Sequence, residues 1–175
     1  MKGSVICALG VMLLLVSTAK AQMRASGTLR ISGTVQGSLS LVINQDPNGA
    51  DLAGSGTKSA SMGFGTVSPF TGSGVAHGFT ANFQTSRVTL TTVVDIYVTG
   101  TNLNSQNYNL TAIQRNSDAC TYTVNGSLLN TSTGTQVGAN VSYGTNFPTT
   151  ISISVPIAAT GQVVGNYIDF TATAN

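Results

Sequence analysis

Few residues in this chain are equipped for acid–base or metal chemistry. There is one histidine, His77, and two cysteines, Cys7 and Cys120. All five acids are aspartate (Asp46, Asp51, Asp95, Asp118 and Asp169), and glutamate is absent. A Ser-His-Asp relay needs a serine displayed on a strand-to-helix elbow of the Gly-x-Ser-x-Gly kind, and no such pattern occurs. A zinc site needs several His or Cys ligands at sensible spacing, and His77 stands alone in a glycine-rich segment. A glycosidase pair would have to be two aspartates. Asp46 and Asp51 are close in sequence, but both fall in the turn-like run Asp46-Pro47-Asn48-Gly49-Ala50-Asp51. That run offers oxygen ligands, yet it lacks the twelfth-position acid and the flanking helices of an EF-hand, so it reads as a plain turn. The glycine-rich runs around Gly54 and Gly63 lack a Gly-Lys-Ser/Thr ending, so neither cradles phosphate. No catalytic, cofactor-binding or metal-binding residue is assigned from these patterns, and the chain reads as non-enzymatic.

The elements that would position any site are strands. From Ala25 to Ile43 every odd position is apolar or glycine, and the even positions are polar except Val42. Period-two alternation of this kind marks extended chain with one buried face. Its length exceeds an ordinary strand, so it reads as two strands in phase, 27–35 and 38–44. Further strands are expected around 63–67, at 78–84, 87–99, 107–114 and 119–124, with a hairpin at Leu128–Leu129. Clean alternation at 151–157 and 168–174 closes the series. Asn, Gly, Ser and Thr punctuate these runs as turns require. No credible helix follows the first 21 residues and no fixed-period repeat occurs, so the expected fold is an all-β, antiparallel β-sandwich.

Residues 1–21 read as a cleaved signal peptide. Lys2 provides a positive start, Val5 to Val16 an apolar core, and Ala19 and Ala21 a small-x-small cleavage site. The apolar core is shorter than the roughly 20 residues of a membrane span, and no later stretch is long and apolar enough. The expected mature chain therefore begins at Gln22. It has an N-terminal extension over 22–36, a sandwich over 37–175, and no membrane span. Lys2 and Lys20 leave with the signal, which balances five basic residues against five acids. Such a neutral, charge-poor chain has no electrostatic footprint for nucleic acid. Its Thr, Ser and Asn surface suits packing against copies of itself, and it suits a sugar-binding face as well. The absence of tryptophan removes the strongest stacking platform for sugars. With Cys7 removed, Cys120 has no intrachain partner. It reads as a buried small residue, with intermolecular pairing the alternative.

Three features together resemble the fimbrial subunits of the spore coat protein U type, the archaic chaperone–usher pilins. They are the alternating extension after the signal peptide, the phrase Met62-Gly-Phe-Gly-Thr-Val-Ser68, and the ending Gly165-Asn-Tyr-Ile-Asp-Phe-Thr-Ala-Thr173. The resemblance implies an incomplete immunoglobulin-like sandwich whose gap is filled by the N-terminal strand of a neighbour. Leu29, Ile31, Gly33 and Val35 would then be the partner-binding residues, because they project to one face of that strand. It also implies passage through the periplasm to the cell surface or an extracellular fibre. The implied partners are related subunits or copies of itself, a periplasmic chaperone and an outer-membrane usher. No cofactor is implied. Two alternatives stay open: that 27–35 is the first strand of its own domain, and that the protein is a monomeric module binding glycans or other surface ligands.

Overall fold

The computed structural model describes residue 32 and residues 37–68, 73–157 and 164–175. From residue 37 onward the described chain belongs to one unit, Val35–Asn175; residue 32 belongs to the other, Met1–Thr34. Nine strands occur among the described residues: β1 (Ser38–Gln45), β2 (Thr80–Phe83), β3 (Arg87–Thr101), β4 (Asn107–Gln114), β5 (Thr121–Val124), β6 (Ser127–Leu128), β7 (Thr135–Ser142), β8 (Asn146–Pro156) and β9 (Ile168–Ala174). The protein is all-β, and its two antiparallel sheets form a β-sandwich. No described helix is long and apolar enough to cross a membrane.

The long alternation expected over 87–99 becomes β3, the organising strand of the larger sheet. Along one edge it pairs with β8, from Arg87 opposite Pro156 to Tyr97 opposite Asn146. The other edge is shared. Its first half pairs with β2 and its second half with β1. Beyond β8 lie β5 and then β6, while the smaller sheet runs β7-β4-β9. Val88, Leu90, Thr92, Val94, Ile96 and Val98 of β3 are all buried, as one face of a pleated strand must be.

The core lies between the sheets. Val94, Ile96, Val98, Ile151, Ile153, Tyr122 and Val124 meet Tyr108, Leu110, Ala112, Val137 and Val141. Burying each such aliphatic or aromatic side chain contributes about 1.5–3 kcal/mol. The opposite face of the larger sheet is a ladder of hydroxyls. Thr91 bonds Ser152 at 2.9 Å, Thr89 bonds Ser154 at 3.3 Å, and Arg87 Nε donates to Ser154 Oγ at 2.8 Å.

The expected strands at 38–44, 78–84, 87–99, 107–114, 119–124, 151–157 and 168–174 all have counterparts here. Three expectations change. Residues 63–67 form no strand: Gly65 adopts φ +82°, and the Phe64 carbonyl accepts from Ala76 N at 3.1 Å instead of joining a ladder. The hairpin turns at Asn125–Gly126, with Leu128 in its second strand, because Val124 pairs with Ser127. Strand β7 was not anticipated. Its two buried residues, Val137 and Val141, are separated by Gly138, Ala139 and Asn140 and by a register shift against β4, which hides the alternation. Strand 27–35 lies outside the described residues, apart from residue 32.

Asn125 (φ 49°) and Gly126 (φ 78°) both take the left-handed backbone that a two-residue primed hairpin turn requires. A Cβ on Gly126 would meet nothing within 4 Å, so the only penalty of a side chain there is conformational. Gly126→Ala is expected to cost roughly 1 kcal/mol, seen in urea unfolding as a lower midpoint with an unchanged slope.

Candidate partner-binding groove

Strand β9 is an edge strand. Its only ladder among the described residues is with β4, from Tyr108 opposite Ala174 to Gln114 opposite Ile168. Arg115 N–H donates to the Tyr167 carbonyl and Asn175 N–H to the Asn107 carbonyl, so the odd-numbered residues of β9 carry the bonds to β4. In an antiparallel ladder the intervening residues direct their N–H and C=O groups the other way. Those of Ile168, Phe170, Ala172 and Ala174 therefore point to the outer edge. Their side chains belong to the inward face, yet all four are only half-buried. On neighbouring β4, Tyr108, Leu110 and Ala112 are at most 1% exposed.

The difference comes from an apolar groove of about 460 Å³ beside β9. Ile168, Phe170 and Val164 line one side of it. Its floor is Val94, Ile151 and Ile153 of the larger sheet, and Ile43, Leu52, Met62 and Phe64 line the other side. That second wall is held by backbone bonds, from Ser61 N to the Ala53 carbonyl at 2.9 Å and from Ala76 N to the Phe64 carbonyl. The Phe64 ring meets Phe79 edge-on at 6.3 Å. The two phrases singled out in the sequence, Met62–Ser68 and Gly165–Thr173, thus both contribute groove-lining residues although they are about a hundred residues apart.

One rim of the groove is polar. The Arg115 guanidinium pairs with both carboxylate oxygens of Asp169 and lies over the Tyr167 ring, 4.6 Å from its centroid. The hydrogen bond from Arg115, more than its charge, holds the Asp169 carboxyl below its usual range. Next to this pair, Asp118 accepts from Tyr122 Oη at 2.7 Å, Asn166 Nδ2 at 2.9 Å and Cys120 N at 2.9 Å. Burial pulls the Asp118 pKa upward, but these three donors outweigh it and keep the carboxyl below the ordinary aspartate value. The Tyr122 hydroxyl is correspondingly held above its usual range, first by burial and then by that bond. This network ties the approach to β9 against β5 across the core.

The residues expected to enter such a groove, Leu29, Ile31, Gly33 and Val35, lie outside the described residues. The remaining sequence candidates do not assemble into an active centre. His77 Nδ1 is 3.7 Å from Asp51 Oδ1, with both side chains about three-quarters exposed, and among the described hydrogen bonds none ties a serine to His77. Asp46 Oδ1 accepts from Asn48 N at 2.7 Å, the local turn expected of Asp-Pro-Asn-Gly. Asp51 instead accepts from Gln45 Nε2 at 3.3 Å, so the two acids of this loop are engaged separately. Cys120 is a buried free thiol at the core, and burial raises its pKa, which disfavours the reactive thiolate. Sequence reasoning missed Arg115 and Asp118, whose only signal was that charges are rare in this chain, and it gave Tyr167 no role beyond its place in the closing phrase. No family model, curated protein or solved structure matches this chain.

Proposed function

We propose that this protein is a secreted, non-catalytic structural or adhesive subunit of a bacterial surface fibre, assembled by strand complementation. The observation that carries this reading is the edge of β9, unpaired among the described residues, running beside an apolar groove. An edge strand with free backbone groups is a template for another strand. Added strands gain affinity from main-chain bonds and specificity from alternate side chains in pockets. The alternating extension at 22–36 has the matching form. Leu29 to Val35 spans roughly 20 Å when extended, as does β9. In this reading Leu29, Ile31, Gly33 and Val35 of one copy occupy the groove of the next. The sandwich is then an immunoglobulin-like one lacking a strand of its own. A periplasmic chaperone would cover the groove in transit and an outer-membrane usher would exchange it for the neighbouring subunit.

The test is the size distribution of purified mature protein with and without residues 22–36. Polymers from the full form, and a small truncated form that binds the missing peptide, are the expected result. Two monomeric forms, or a truncated form that unfolds, would place 27–35 in the sheet of its own domain. A monomeric glycan-binding module is the second reading, favoured by the 60% exposure of Tyr167 among Arg115, Asn166 and Asp169. Its mark would be retention on immobilised oligosaccharide that Tyr167→Ala abolishes.

A further inference from the structure

Asp95 sits on the hydroxyl-bearing outer face of β3, where an aspartate would ordinarily be solvated, yet it is only 4% exposed. Its Oδ2 accepts from Asn146 Nδ2 at 3.0 Å, while its Oδ1 is buried and has no hydrogen-bond partner among the described residues. No Lys, Arg or His of the described residues forms an ion pair with it; those present join His77 to Asp51 and Arg115 to Asp169. A buried carboxylate left without a cation costs several kcal/mol, so something must offset this one.

The neighbouring residues on the same face are further oxygen donors. Asn44 of β1 stands directly opposite Asp95. Its Nδ2 donates to Asn146 Oδ1 at 3.2 Å, which leaves the Asn44 amide oxygen uncommitted among the described residues. Two residues on, Asp46 follows directly on the end of β1 with the same parity as Asn44, which puts it near the diagonal position from which side chains can still meet. Its charge raises the Asp95 pKa, second only to the effect of burial. One Asp46 oxygen holds its own turn through Asn48 N–H, and the other has no hydrogen-bond partner among the described residues. We propose that Asp95 and Asp46, with the amide oxygen of Asn44 and with Asn146 as the positioning residue, bind a hard divalent cation of the calcium class. The donor set is all oxygen, which selects against zinc and copper. Two carboxylates neutralise a 2+ ion, and calcium completes its shell with water. Among the described residues no three of His, Cys, Asp or Glu come together, so the site would be of modest affinity, with a dissociation constant on the order of 0.1–1 mM as in extracellular calcium modules. Binding would pin the end of β1 to β3 and β8.

The experiment uses the mature chain stripped with a chelator. Calcium at ten times the dissociation constant is expected to raise the thermal midpoint by about 3–5 °C, with one site per chain by calorimetric titration. Asp95→Asn should abolish the shift and raise the metal-free midpoint, and Asp46→Asn should weaken binding at least ~10-fold. Location is read independently with terbium. The chain has no tryptophan, and Tyr97 lies opposite Asn146 on this face, so Tyr97→Phe should dim tyrosine-sensitised emission while leaving the calcium titration unchanged. If calcium and magnesium leave the wild-type midpoint unmoved, the proposal is overturned and Asp95 is a neutral, protonated carboxyl. Calcium binding that survives in Asp95→Asn overturns it too, because the ion then lies elsewhere. Should Asp95→Asn fail to fold, the Asp46→Asn titration decides alone.

Discussion

Ile31→Asp is expected to abolish polymer formation while leaving the mature protein folded and small, measured by gel filtration together with circular dichroism. The proposed reading places Ile31 in the groove of a neighbouring copy, against a floor of Val94, Ile151 and Ile153. Burying an isoleucine there contributes about 1.5–3 kcal/mol. A carboxylate at the same place loses that and adds a desolvation penalty of several kcal/mol, more than enough to remove assembly. Ile168→Asp should have the same effect on assembly from the other side of the contact. The two variants then separate. A peptide spanning 22–36 should still bind the Ile31→Asp protein, whose groove is intact, and should fail to bind the Ile168→Asp protein. If 27–35 instead belongs to its own sheet, Ile31→Asp unfolds the monomer and the peptide rescues nothing.

The largest effect on stability is expected at Gly78. At the point where β3 passes from β2 to β1, the loop that follows β1 and the segment that precedes β2 must both close against it. Buried Thr92 joins them: its Oγ1 accepts from Ala50 N at 2.8 Å and donates to the Gly78 carbonyl at 2.7 Å. The backbones approach so closely that a Cβ on Gly78 would lie 1.9 Å from the Gly49 carbonyl oxygen, and one on Gly49 would lie 1.9 Å from that of Val93. Gly78 also has φ +72°, a left-handed conformation that costs an L-residue about 1–2 kcal/mol. Overpacking against rigid backbone adds roughly 1–3 kcal/mol. Gly78→Ala is therefore expected to lose about 3 kcal/mol or more, several times the effect of Gly126→Ala, by urea unfolding. Gly78→Ala and Gly49→Ala together should cost less than the sum of their separate effects, since the first displacement already opens the junction.

Strands whose alternation is carried by strongly apolar residues were legible in the sequence: β1, β3, β4 and β9 fall within a residue or two of expectation. β7 was not, because a bulge changes its parity and its faces differ little in polarity. Glycines 49 and 78 read only as turn formers. Their close packing against Val93 and against each other depends on where β3 changes partners, which no local pattern records. The groove was half legible. Its two walls stood out as phrases, but that they flank a common gap follows from β9 having one neighbour and not two among the described residues. Asp95 occupied a wet-face position in an otherwise regular strand, and its burial arises from Asn44, Asn146 and Asp46 arriving from elsewhere in the chain.

The partner-sharing of β3 has a kinetic consequence. Ser38 meets Thr101 and Arg87 meets Pro156, so both of its major ladders join residues more than sixty positions apart at their far ends. Topologies dominated by such distant pairings fold on the order of milliseconds to seconds, slower than helical bundles of similar size. Nor can the core close early, since Ile168, Phe170 and Ala172 of β9 pack against it and are made last among its strands. A ribosome-bound chain short of β9 would hold β3 and β8 covered only by β4 and β7, without Ile168, Phe170 and Ala172, so the core is completed only after synthesis has passed residue 174.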